Sequence, residues 1–210
     1  MASDVQYKTL RWDEYAIKSN RAETTAAAMR AEAKTSGNGQ ALGVFVPWIG
    51  MSINTVTIAT MWIEEPRPAP TPWKSDVVRG TSRVFDILAR GQEPCPIDRP
   101  GIYTHRWFVV RPEHVDLMTE TSVEAWKGME ADTPARVSGF WLSRERDASG
   151  NATILMLVFY PDLTAWEQSR FWKPLPPGID QPNRAEWGER FRKRREITID
   201  SMVTIHRLVG

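Results

Sequence analysis

The stretch YTHRWFVVRP (Tyr103–Pro112) carries an Arg-Trp pair that also occurs 95 positions earlier (106 − 11), in TLRWDEY (Thr9–Tyr15). Both copies sit in runs where apolar and polar residues alternate and β-branched and aromatic types dominate, which is the pattern of a strand. Around each copy the same order of elements can be read. In the first half a strand over 5–17 leads to a helix, with Asn20 as its predicted N-cap and Glu23 three residues on, a capping-box spacing. Extended runs follow over 41–49 and 53–63, the second β-branched throughout. Beyond the proline-dense 64–72, a second helix is predicted from Trp73 to Leu88, then a connector over 93–100.

The second half repeats this order. A strand over 101–110 meets Pro112, well placed to open a helix. Strands are expected over 136–144 and 151–161, helices from Asp162 and over about 183–196, and a closing strand over 202–209. Further correspondences share the offset or nearly so. Pro66 and Pro161 end the third strand of each half, and Gly43-Val44-Phe45 matches Gly139-Phe140-Trp141. Trp73 and Trp166 fall early in the following helix. Matching order at a matching offset points to a tandem duplication, with halves 1–100 and 101–210.

A β-α-β-β-α unit makes an antiparallel sheet with its helices on one face, the ferredoxin-like arrangement. The opposite face is expected to carry Phe45, Ile58, Trp62, Trp141 and Met156, and must bury itself. The partner half is the nearest surface for that. The expected fold is therefore α+β, two tandem ferredoxin-like halves forming an α/β barrel within one chain, with room for a pocket between the sheets.

Composition narrows the function. With 27 basic against 26 acidic residues, no sustained field is available for nucleic acid or a membrane surface. The longest apolar run, ILMLVFY over 154–160, has the length of a strand and not of a membrane span. The first residues, MASDVQYK, lack a secretory pattern, and the single Cys95, between prolines, reads as an uncatalytic linker thiol, so a cytoplasmic location is expected. The chain has no GxGxxG, Walker loop, GxSxG, HExxH or Cys/His cluster, so nucleotide, serine-hydrolase and zinc readings have no motif. The basic run RFRKRRE (190–196) reads as a solvated helix face.

Ten tryptophans suggest a cavity or core walled with aromatics. Strand alternation puts Tyr103, His105 and Trp107 on one face, with Arg106 and Phe108 on the other; His206 shares a face with Thr204 and Leu208. If the histidine faces meet, His105 and His206 can serve as general base or acid. Otherwise they are core imidazoles satisfied by carbonyls. His114, at a helix start, is expected to face solvent. Tyr103 and Tyr160 offer phenol donors that could polarise a carbonyl. Trp12, Trp107 and Trp141 are the candidate aromatic wall. Arg11 and Arg106, matched by the duplication, call for a structural ion pair or an anionic substrate group.

On the strand YTHRWFVVRPEHVD, the Gly-Phe-Trp second strand, LVFYPDLTAWEQSRFW and the closing TIHRL, the chain resembles the dimeric α/β-barrel superfamily in its tandem form, and most closely the NIPSNAP-like proteins. The resemblance covers most of residues 5–209. Its first strand and ending read TLRW and IHRL, where NIPSNAP-like chains usually carry Glu-Leu-Arg and Ser-Pro-Leu patterns. The superfamily implies cofactor-free monooxygenases, isomerases and decyclising enzymes as well as haem enzymes, and homodimers are ordinary within it.

The expectation is an enzyme acting on a small hydrophobic or aromatic molecule. His105, His206 and Tyr103 would act as catalytic groups, with Trp12, Trp107, Trp141, Arg106 and Tyr160 as substrate contacts, and neither metal nor a tightly bound cofactor. The alternatives are a non-catalytic ligand-binding or interaction module, whose sheet interface would be packed solid, and a haem enzyme using His105 or His206.

Overall fold

A computed structural model describes residues 6–33, 39–66, 75–91 and 97–210. Cys95, Trp73 and most of the proline-dense segment lie outside the described residues. Eight antiparallel strands close into a barrel in the order β1-β3-β2-β8-β5-β7-β6-β4. They are β1 (Thr9–Ile17), β2 (Gly39–Ile49), β3 (Thr55–Trp62), β4 (Val77–Ala89), β5 (Ile102–Val110), β6 (Arg136–Arg146), β7 (Ala152–Tyr160) and β8 (Thr198–Leu208). The helices are α1 (Ala22–Ala33), α2 (Val115–Asp132), α3 (Leu163–Gln168) and α4 (Arg184–Glu196), with a 3-10 turn at Pro112–His114 ahead of α2.

Within each half the strands stand in the same order, β4-β1-β3-β2 and β8-β5-β7-β6. Hydrogen bonds across two seams close the ring. β2 pairs with β8 (Phe45↔Leu208, Pro47↔His206), and β4 pairs with β6 (Phe85↔Ser143, Ile87↔Trp141). Each half's last strand thus bonds to the second strand of the other. The barrel expected from the sequence is closed, and closure leaves no sheet edge in need of a partner. Pro47, which has no N–H to give, sits where the β2–β8 register shifts.

Period-two alternation divides the apolar residues into an interior and two outer cores. The interior holds Leu10, Trp12, Phe45, Met61, Phe85, Tyr103, Trp141, Leu155 and Leu157. Outside, α1 covers β2 and β3 through Ala26, Met29, Val44, Val56 and Ile58. On the other half α2 and α4 pack against each other and cover β5 and β7 through Met118, Trp126, Met156 and Trp187. Ile58 and Met156 were expected on the face away from the helices. They lie beneath the helices, because on β3 and β7 it is the odd-numbered positions, such as Met61 and Leu155, that turn inward. Trp62, next to Met61 on β3, shares the outer face with Ile58, and Arg11 lies over its ring at 5.7 Å.

Two elements differ from the expectation. From Val77 onward the predicted helix over 73–88 is the strand β4, which pairs with β1 over Val77–Asp86. Val77, Val78, Thr81, Val84 and Ile87 give it the β-branched content of a strand, and without it neither β1 nor β6 would have a neighbour on that side. Asn20 does not cap α1. It takes a left-handed backbone (φ 63°) two residues before the helix begins at Ala22. By contrast Asp162 caps α3, its carboxylate accepting from the Ala165 N–H at 2.8 Å, although α3 ends after six residues. β8 begins at Thr198, four residues before the expected start.

Candidate functional site

β5 and β8 run side by side, with Tyr103 opposite His206 and His105 opposite Thr204. Both histidines point inward, and this diagonal register stacks their imidazoles at 3.6 Å between centroids and 18° between planes. Trp12 from β1 meets His105 edge-on at 4.7 Å, and Phe45 from β2 does the same at 4.9 Å. The pair is almost fully shielded, each ring 1% exposed.

Burial makes the pair neutral. It pulls His206 down to about 3, and it pulls His105 well below the ordinary histidine value, with the neighbouring His206 adding to the effect. His206 Nε2 lies 2.8 Å from Thr204 Oγ1, while His105 Nε2 and His206 Nδ1 are buried with no hydrogen-bond partner among the described residues. A buried polar atom left unmade costs about 1–3 kcal/mol. The carbonyl that a purely structural histidine would find is not what these nitrogens meet.

Above the pair opens a cavity of about 350 Å³, lined by Trp12, Trp107, His105, His206 and Thr204 within and by Glu14, Arg83, Asp200 and Met202 toward the surface. Its size falls at the small end of ligand pockets. Trp12 and Trp107 stand at 87° and 5.7 Å and form an aromatic corner, with the Arg83 guanidinium over Trp107 at 5.5 Å. Burial raises the Glu14 carboxyl, and the charges of Arg83 and Arg79 oppose that rise. The cavity therefore runs from a charged mouth to a neutral polar floor, between aromatic walls.

The expected site residues divide into three groups. His105, His206, Trp12 and Trp107 converge on the cavity. Tyr103 and Trp141 are interior but belong to the packed part of the barrel. Tyr103 donates to the Arg99 carbonyl at 2.8 Å, and Trp141 fills the space over Gly139 and Gly91. Arg106 and Tyr160 lie on the outer face of β5 and β7, 3.3 Å from each other (Nη2 to the phenol oxygen) and away from the histidines. Arg11 has the expected ion pair, with Asp13 at 2.7 Å, whereas Arg106 has no carboxylate among the described ion pairs. His114 is half-buried at the start of α2, its Nδ1 shielded, and not fully solvent-facing as expected.

Glu14, Arg83 and Asp200 were not singled out. Glu14 follows from the alternation that turns Leu10 and Trp12 inward; Arg83 was hidden by the helical reading of β4, and Asp200 by the late start given to β8. Among the described residues no group of three or more His, Cys, Asp or Glu side chains could hold a metal ion. His105 Nε2 and His206 Nδ1 are shut in, and His206 Nε2 is engaged with Thr204.

No family model matches the chain. No curated protein matches it in sequence either. Solved structures do resemble it. An anthrone oxidase-like protein is 11% identical with a TM-score of 0.64, covering 100% of this chain and 94% of its own. A proposed monooxygenase of Fusobacterium nucleatum is 10% identical with a TM-score of 0.64, covering 98% and 94%. A proposed chlorite dismutase is 12% identical with a TM-score of 0.53, covering 97% and 95%. At these identities the likeness is one of fold alone: α+β, with an eight-stranded antiparallel sheet and outer helices, similar to the dimeric α/β barrel fold. Among the described residues no helix is long and apolar enough to cross a membrane.

Proposed function

We propose that the chain is an enzyme converting a small planar, largely apolar molecule in the barrel cavity, with the His105–His206 pair assisting proton transfer. The observation that carries this reading is the pair itself: two neutral, stacked imidazoles with unpartnered nitrogens at the floor of an aromatic-walled cavity. A small turn of either ring would present a nitrogen to a ligand's hydroxyl, or to a C–H beside a carbonyl. The base takes the proton, and the electron pair stays on the substrate as a phenolate or enolate. In the dry cavity the imidazolium and that anion form an ion pair, so the substrate itself offsets the burial that keeps the free pair neutral. Trp12 and Trp107 hold the planar body, and Glu14 and Arg83 at the mouth sort ligands by charge. The names of the similar structures, an anthrone oxidase-like protein and a monooxygenase, support starting with oxidisable phenols and cyclic ketones.

The test begins with anthrone, then a panel of planar phenols, each followed for binding by calorimetry and for turnover in air by absorbance. H105A and H206A are expected to lower turnover of any accepted compound by about 10²–10⁴-fold. Undiminished turnover in both variants sinks the assignment. Binding without turnover across the panel favours the ligand-binding module instead, although such a module was expected to have a solidly packed interior.

The same reading extends to descent. We infer that residues 1–100 and 101–210 are duplicated ferredoxin-like halves, with the NIPSNAP-like proteins as kin. The common strand order supports this, as do two glycines at equivalent register shifts in β2 and β6. Gly43 lies under the Phe45 ring and Gly139 under the Trp141 ring, each two residues before the aromatic.

A further inference from the structure

On the outer face of the second half, beneath α4 and the segment after α3, three guanidinium groups surround one small void. Arg106 comes from β5, Arg194 from α4 and Arg170 from the turn after α3; Tyr160, Ser169, Trp126 and Phe191 complete the lining. The void measures about 40 Å³. A water needs about 10–15 Å³ of such space, so the void takes a small ion and not an organic molecule.

Charge in this pocket is not balanced by the described residues. Arg170 has a carboxylate, Glu167 at 3.2 Å, but Glu167 also takes Lys173. Arg106 and Arg194 have none. Arg106 reaches only hydroxyls, Thr104 Oγ1 at 3.4 Å and the Tyr160 phenol at 3.3 Å. Arg194 is 8% exposed and makes one long contact, to Ser122 Oγ at 3.5 Å. Its Cζ lies over Phe108 at 4.8 Å and Phe191 at 4.4 Å. Those ring faces attract its charge but accept none of its five N–H donors. Burial and the neighbouring Arg106 charge together pull Arg194 down to about 9. Breaking or omitting the partner of a buried charge is among the costliest arrangements in a protein interior. A water in the void would accept hydrogen bonds without offsetting any of that positive charge; an anion does both.

We propose that this pocket is a binding site for one small inorganic anion of halide size, held by Arg106, Arg170 and Arg194 and separate from the barrel cavity. It lies across the sheet from His105, so the anion stabilises the packing of α4 on the sheet and does not enter the cavity.

Thermal unfolding of the intact chain, with sodium chloride replacing sodium gluconate at constant ionic strength, tests this directly. The unfolding midpoint is expected to rise by several degrees with the logarithm of chloride concentration, because an ion that binds only the folded chain stabilises it by mass action. R194M, which replaces the buried cation with an apolar chain of similar length, should lose that dependence. Its midpoint in gluconate should be no lower than wild type. Equal midpoints for wild type in chloride and gluconate overturn the proposal, as does a chloride response that R194M retains. Should R194M fail to fold, wild-type crystals soaked in bromide decide the matter. An anomalous peak between the three guanidinium groups supports the site, and an empty map there overturns it.

Discussion

The two faces of β5 bury polar side chains in opposite ways. Inward, His105 shares its space with His206 and sheds charge: both imidazoles are neutral, and the surrounding space stays large enough for a molecule. Outward, one residue along the same strand, Arg106 joins Arg170 and Arg194, and their positive charge converges on a void of about 40 Å³. A histidine can lose its proton at modest cost when buried, whereas an arginine holds its own and recruits a partner. The inner face is thus suited to moving protons and the outer one to holding a fixed charge.

The largest effect expected of the buried histidines is acid sensitivity. A histidine whose folded value is depressed contributes stability that is fully present above its unfolded value, near 6.5, and lost as pH falls toward the folded one. Between pH 7 and 5 the unfolded chain takes up a proton on each ring that the folded chain refuses. Stability should therefore fall by about 2 kcal/mol per histidine, about 4 kcal/mol for the pair. Urea titrations at the two pH values measure this. The double variant H105L/H206L should keep only the part of the loss that the carboxylates contribute. If it loses as much stability as the wild type, the rings are not buried as neutral groups.

A somewhat smaller effect probes how rigid the barrel interior is beside the cavity. A Cβ on Gly139 would lie 2.1 Å from Trp141 Cζ2, and one on Gly43 would lie 2.6 Å from Phe45 Cζ. Trp141 is wholly buried and has no free direction in which to swing. G139A should cost about 3 kcal/mol, the upper end of overpacking, and G43A less, since Phe45 is the smaller ring. Equal and negligible costs would mean that the interior yields, and that the cavity is no fixed feature.

Much of the inner face was legible in the sequence, because strand period is local. YTHRWF alone sets His105 and Trp107 on one side and Arg106 on the other, and the closing strand does the same for His206. What sequence could not supply is the diagonal register that stacks the two rings, since that depends on how β5 meets β8. The outer site was misread for a different reason. In RFRKRRE the density of charge suggested a solvated face, yet Trp187, Phe191 and Arg194 stand four and three residues apart on one stripe of α4 (191 − 187, 194 − 191). That spacing puts one arginine of the run indoors. The want of a carboxylate beside it among the described residues is a property of tertiary packing, to which no local pattern points. β4 was lost because a strand with a neighbour on each side is stabilised by those neighbours more than by its own propensity.

The smallest predicted effect separates charge from hydrogen bonding on the outer face. The Tyr160 hydroxyl accepts from Arg106 at 3.3 Å and donates toward Ser169 Oγ at 3.4 Å, both long contacts. Ser169 gives its own proton to the Trp166 carbonyl at 2.7 Å, so losing the phenol leaves it satisfied. Y160F should therefore cost only about 1 kcal/mol, the ordinary worth of one hydrogen bond. If positive charge is what the pocket presents to its anion, the three guanidinium groups are intact in this variant, and its midpoint should climb with chloride as steeply as that of the wild type. A chloride response that survives in R194M and disappears in Y160F would overturn the guanidinium site and trace the response to the hydroxyl instead.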